Sequence, residues 1–304
     1  MKSSTGFANT AAAKAEATRL ISSGRSFGGA RFFEFHDQSW FPESLRDSVT
    51  DALQFILSLG GIYRPIVPLL SKAIEAAGAQ RVVDLCSGGS GPWLWLRRLL
   101  REKSGRAIEV CLTDKFPNIP AFENVKRSTD GQVTFFAEPV DAANLPPDLA
   151  GFRTIFTSFH HFRPDEAVAI LQNAVDDAQG IGVFEAARRH PLTILLTLLM
   201  PLGGFLSAPF IRPFRFSRLF WTYVIPVIPF VLYFDGVASC LRAYSTRELH
   251  KLIAQVKSHR EYVWQVGEAP GLAPVTFLIG YPRQNDRGGE PEQSRNSVSA
   301  SLER

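Results

Sequence analysis

Apolar positions along this 304-residue chain change their period several times, and each change marks an element. Leu53, Phe55, Ile56 and Leu59 recur at helical spacing behind Pro42-Glu43-Ser44, and proline suits a first helical turn. Gly60-Gly61 interrupts that pattern, and 63–77 (YRPIVPLLSKAIEAA) reads as a second helix closed by Gly78. From Gln80 onward, short apolar runs alternate with amphipathic ones. The runs at 81–86 (RVVDLC), 107–113, 133–138, 153–158 and 182–186 read as strands. Those at 92–102, 117–125 and 164–178 read as helices, the last carrying Ala167, Ile170, Leu171 and Ala174 on one face. This alternation predicts a doubly wound α/β fold, with a mostly parallel sheet covered on both faces.

The pattern breaks at Pro191. From there to Phe234 no acidic residue occurs, and the only charges are Arg212, Arg215 and Arg218. The α/β pattern then resumes. A helix is expected over 245–256, where Ser245 and Glu248 have the spacing of a capping box. The runs 262–267 and 275–281 read as two closing strands around a Gly/Pro turn, which makes seven strands in all. The expected organisation is an N-terminal helical arm over 1–45, disordered in its first part, and an α/β domain over 46–282. An apolar insertion at 191–234 interrupts that domain, and a polar, disordered tail over 283–304 follows it.

Composition adds little. Hydrophobic residues make up 45% and charged residues 20%, an ordinary globular mix, with a mild net charge of +4. Cys86, Cys111 and Cys240 are isolated, which argues against a disulfide framework or a structural zinc site. The first twenty residues hold no apolar run suited to a signal peptide, so a cytoplasmic setting is expected.

Candidate chemistry centres on 82–91 (VVDLCSGGSG), where a strand runs through a glycine-rich turn toward a helix. Glycines there permit a tight turn and close approach of a ligand to the backbone, and the following helix presents unpaired N–H groups. Asp114 ends the second strand, where a carboxylate can accept from both hydroxyls of a ribose. Asp141 follows the third strand, where it can accept from an adenine amino group. Each of these acids can also serve as a helix cap or a solvated loop charge.

Together these features resemble a class I S-adenosylmethionine-dependent methyltransferase over about 80–186 and again in the closing strand pair. The resemblance implies S-adenosyl-L-methionine as cofactor, with Asp84, Cys86, Ser87, Gly88, Gly89 and Gly91 as the first motif. It implies Asp114 and its neighbour Lys115 at the ribose, and Asp141 and Ala142 near adenine. Ser158, in 157–162 (TSFHHF), matches the segment that passes the methyl group. It also implies a last strand antiparallel to the rest. The chain departs from the pattern in its first turn, where Cys86 stands in place of a frequent glycine. The rival is a nicotinamide-dependent dehydrogenase, but the GxGxxG spacing is lacking and about eighty residues precede the turn. A non-catalytic scaffold that keeps the fold is the alternative from another class.

His160 and His161 follow the fourth strand, where one of them can act as general base or both can shape the pocket. No carboxylate or cysteine stands at ligand spacing from this pair, so no metal is expected. Glu185, Arg188, Arg189 and His190 end the fifth strand, facing the acceptor or solvent. The insertion has three readings: a membrane hairpin, an interfacial platform with its arginines at anionic head groups, or a buried lid over a lipophilic pocket, alone or within a homodimer. Its place implies a small hydrophobic or lipid-like acceptor, and the protein is expected at the cytoplasmic face of a membrane. No basic patch with interleaved aromatics and no Asn-Pro-Pro-Tyr segment points to nucleic acid.

Overall fold

The computed structural model describes residues 32–271 and 273–283. The disorder expected at the start of the arm, and in the tail apart from Arg283, falls outside them. Strand β1 (Arg81–Leu85) pairs in parallel with β2 (Glu109–Leu112) and β4 (Phe152–Phe156). Outward from these lie β3 (Val133–Phe135) beside β2 and β5 (Ile181–Glu185) beside β4, both parallel. The closing strands β6 (Tyr262–Ala269) and β7 (Val275–Pro282) form an antiparallel hairpin, and β7 pairs antiparallel with β5. The order is therefore β3-β2-β1-β4-β5-β7-β6.

Successive strand residues face opposite sides of a sheet, and here both sides are apolar. Val83, Ile155 and Leu278 enter one core with Ile170 and Leu171 of α5 (Pro164–Asp176) and Leu249 and Leu252 of α10 (Thr246–Ile253). Val82, Phe152 and Ile279 enter the other. There they meet α2 (Val67–Ala76), α3 (Trp93–Ser104) and α4 (Ile119–Ser128). The capping box at Ser245 and Glu248 forms as expected.

The arm and the insertion build a separate helical layer. Helix α1 (Glu43–Leu59) buries Leu45, Val49 and Ala52 against Ile211, Ile228, Val231 and Leu232 of the insertion. The expected stripe from Leu53 to Leu59 is not its most buried face, and Leu59 is exposed. Insertion helices α6 (Pro191–Thr197), α7 (Met200–Ser207) and α8 (Phe216–Leu219) are short, and a π-helical turn, Phe220–Val224, follows them. The last, α9 (Val227–Arg242), runs past the end expected at Phe234. Among the described residues no single helix is long and apolar enough to cross a membrane. Helix α8 with its π turn, taken with α9, passes that test only as a pair bent by 77°.

Candidate active site

The turn after β1 is built on left-handed backbone. Cys86, Gly88 and Gly91 have φ near +55°, and Ser90 has φ +132°. Glycine tolerates such angles and other residues resist them, so Cys86 and Ser90 hold conformations that the surrounding fold imposes. Asp84 lies beneath the turn, 1% exposed. It accepts from Ser87 Oγ at 2.7 Å and from Thr154 Oγ1 at 2.6 Å. Burial pushes its carboxyl up to about 7, against the pull of the Thr154 and Ser87 hydrogen bonds. Asp84 thus ties the turn to β4 from below. A Cβ at Gly91 would lie 2.9 Å from Asp84 Oδ2, and one at Gly88 would lie 2.6 Å from Thr50 Cγ2. Glycine at position 89 likewise leaves room for Asp51 and Gln54, so α1 rests directly on the turn.

Asp114 sits beside this turn. Its Oδ2 accepts from Gly88 N–H at 2.7 Å and its Oδ1 from Phe116 N–H at 2.8 Å. Burial raises its pKa, and those two backbone bonds oppose the rise. Asp114 and Lys115 line a cavity of about 480 Å³, together with Cys86, Gly88, Ser158, His160 and His161. A neighbouring recess of about 80 Å³ adds Asp84, Ser87 and Gly91 and shares Cys86, Gly88 and Ser158 with it. Asp141 and Ala142 line neither space. The Asp141 side chain is exposed and accepts from Ala143 N–H within its own turn, while Ala142 is buried in the core.

The post-β4 segment carries the chemistry. Thr157 has φ +44°, a strained value for a β-branched residue. Its hydroxyl lies 2.5 Å from Tyr63 Oη and accepts from Ala186 N–H. This turn delivers His160 to the cavity at 3% exposure. Its Nδ1 lies 2.8 Å from Glu185 Oε2, and Glu185 Oε1 accepts from Phe159 N–H at 2.6 Å. Nε2 of His160 is buried without a partner. Glu185 therefore orients a histidine. Arg188 and Arg189 pair instead with Glu268 and Glu248, and His190 accepts from Leu192 N–H at the start of α6. These last three do not line the cavity.

Residues distant in sequence complete the polar end. Glu34 Oε2 lies 3.2 Å from His161 Nδ1, and Glu34 Oε1 lies 3.1 Å from an Arg242 guanidinium nitrogen. Asp37 meets the same histidine at 2.8 Å and the same arginine at 2.5 Å. Burial pushes Glu34 up to about 7, partly offset by His161 and Arg242. Burial also acts to raise Asp37, but His161 and Arg242 outweigh it and hold this carboxyl well below its ordinary value. Asp235 of α9 anchors the arm by accepting from Phe35 N–H and His36 N–H. The sequence placed no carboxylate near the histidine pair. The fold corrects this, bringing in Glu34 from over a hundred residues away. No local spacing announces Glu34, Asp37 or Arg242.

Apolar side chains also line the cavity: Leu53 and Leu57 from α1, Leu196 and Met200 from the insertion, and Leu232 from α9. The insertion's inner side is thus part of the cavity. Two of its arginines, which the platform reading set at head groups, turn inward. Arg218 is fully buried with its guanidinium 2.6 Å from Asp51, and Arg215 lies 3.1 Å from Asp47.

The sheet order and the antiparallel β7 between β5 and β6 define the class I methyltransferase fold and differ from the all-parallel dinucleotide-binding order. No family model and no curated protein matches the sequence. Solved structures resemble it distantly. The mitomycin 7-O-methyltransferase MmcR is 16% identical with a TM-score of 0.42, the match covering 75% of this chain and 56% of that one. PigF, solved with SAH, is 15% identical at 0.47, covering 81% and 62%. A Rhodobacter sphaeroides protein provisionally assigned as a Zn-dependent alcohol dehydrogenase is 16% identical at 0.44, covering 78% and 98%. The chain therefore spans less than two thirds of the length of MmcR and of PigF. Likeness at this distance does not choose a chemistry, so the site must.

Proposed function

We propose that this protein is an S-adenosyl-L-methionine-dependent methyltransferase that acts on a small hydrophobic acceptor whose nucleophilic atom carries a proton. One observation carries the reading: a single cavity runs from the glycine turn and Asp114 to an oriented histidine with a free, buried Nε2, beside an apolar wall.

When bound, S-adenosylmethionine supplies a methyl group on a sulfonium, already activated for in-line displacement. The chain's residues bind, align and move one proton. Asp114 keeps lone pairs beyond the two used by Gly88 and Phe116, enough to accept from ribose hydroxyls. Asp84 and Ser87 hold the turn in shape below it. Glu185 accepts from Nδ1–H of His160 and so leaves the Nε2 lone pair to take the acceptor's proton as the new bond forms. Leu196, Met200 and Leu232 favour an acceptor with an apolar body and exclude water around the reacting atoms.

The outer side of the insertion supports a second element of the reading, contact with a membrane surface at the cytoplasmic face. Leu195, Leu199, Leu202 and Leu206, in and between α6 and α7, are each more than half exposed, and Phe230 and Tyr233 of α9 are also exposed. Apolar surface of this kind suits an interfacial platform that passes a lipophilic acceptor inward.

The test is calorimetric titration with S-adenosylmethionine, beside an Asp114→Ala variant and an NADH control. Micromolar binding that Asp114→Ala weakens severely, with none for NADH, is the expected result. Folded protein that binds no S-adenosylmethionine would overturn the reading in favour of a non-catalytic scaffold.

A further inference from the structure

We propose that Glu34, His160 and His161 form a binding site for a divalent transition-metal ion of the zinc class, and that its occupancy silences the base. One donor atom from each residue lies within 4.8 Å of the other two, so modest side-chain contraction brings all three onto one ion. Glu34 and His160 are 1% and 3% exposed, and His160 Nε2 is buried without a partner.

Each donor also has an outer partner that fixes it. Glu185 holds His160, Asp37 holds His161, and Arg242 and Ser239 hold Glu34 through Oε1, while Glu34 Oε2 faces His161 Nδ1 at 3.2 Å. Carboxylate-backed histidines are the usual support of metal-bound imidazoles, because the carboxylate sets the tautomer and raises ring basicity. The charges match as well. With both imidazoles neutral and Glu34 ionised, Glu34, Asp37, Asp235 and Glu185 outnumber Arg242, and this excess of negative charge favours a divalent cation. Two imidazoles with one carboxylate suit zinc-class ions, whereas magnesium and calcium favour oxygen ligands. Three protein ligands leave a position open toward the cavity.

The ion uses the same Nε2 lone pair that would accept the acceptor's proton, so metal occupancy and base catalysis exclude each other. Only this consequence rests on the methyltransferase reading, and ion binding is measured separately.

The experiment titrates the full chain with Co2+ and with Zn2+ by calorimetry, without S-adenosylmethionine, and follows Co2+ by its visible absorption. Glu34→Gln and His161→Ala are compared with the unmodified chain, and circular dichroism confirms their folding. One equivalent should bind, and each substitution should weaken it by about 10–100-fold or more. Zinc should abolish methyl transfer and a chelator should restore it, with affinity for S-adenosylmethionine unchanged. Metal binding without any affinity for S-adenosylmethionine would sustain the site and remove the functional reading. Absence of stoichiometric binding to the unmodified chain, or binding that both folded variants retain in full, would overturn the site. The unmodified chain's Co2+ spectrum decides the matter should a variant not fold.

Discussion

His160 depends on which ring nitrogen carries its proton. Glu185, 3% exposed, can only accept when ionised, so it selects the Nδ1–H form and leaves Nε2 as an acceptor. His160→Ala should therefore lower kcat by about 10²–10⁴-fold. Glu185→Gln should lower it in the same direction by releasing the tautomer, and neither change should move the calorimetric affinity for S-adenosylmethionine. Loss of affinity equal to the loss of kcat would mean that the pair only shapes the pocket. The histidine was legible in the sequence from its place after the fourth strand. Its partner was legible only as an acid ending the fifth strand. That the two meet depends on parallel pairing of β4 and β5, which aligns their ends.

At the scale of elements, α1 joins the site to the insertion. Its Thr50, Asp51 and Gln54 lie on the glycine turn, and Gln54 donates to Ser90 Oγ at 3.0 Å. The Asp51 carboxylate also meets Arg218 at 2.6 Å and accepts from Asn118 at 3.1 Å. Burial pushes Asp51 up to about 6, with Arg218 pulling it back. Removing one partner of a buried ion pair leaves the other uncompensated. Arg218→Met should cost about 3–5 kcal/mol of stability in urea denaturation, and the Arg218→Met, Asp51→Leu double variant should recover part of it. Because α1 rests on Gly88 and Gly89, the single variant should also weaken S-adenosylmethionine binding. Unchanged stability in Arg218→Met would show that the pair contributes nothing. Composition could not reveal this pairing: an arginine in an apolar stretch looks the same whether it meets a lipid phosphate or a carboxylate far back in the chain.

For the whole molecule, the question is what covers the outer side of the insertion. Leu206 and Phe210 are about two-thirds exposed and Phe216 is 81% exposed. Phe33 and Trp40 of the arm stack beside this side, and Phe33 also meets Phe234 of α9. Exposed apolar surface of this extent favours transfer out of water. The protein should co-sediment with anionic liposomes, and Leu199→Glu with Leu202→Glu should reduce the bound fraction severalfold while leaving S-adenosylmethionine affinity intact. Liposome-free protein that sediments as a stable dimer, with no lipid partition, would assign this side to a second copy of the chain.

The sequence by itself determined the alternation of strands and helices, the glycine turn, Asp114 and the histidine pair. Those signals are local: period, turn chemistry and position at a strand end all lie within a few residues. Tertiary structure decided the rest. It put Asp84 under the turn, placed Asp141 outside the cavity and drew Glu34, Asp37 and Arg242 around His161. It also turned Arg215 and Arg218 inward and paired the arm with the insertion. Each of these outcomes depends on which distant groups compete for the same buried charge or apolar face. That competition is settled only when the layers close, because burial makes unpaired charge costly and exposed apolar surface unfavourable.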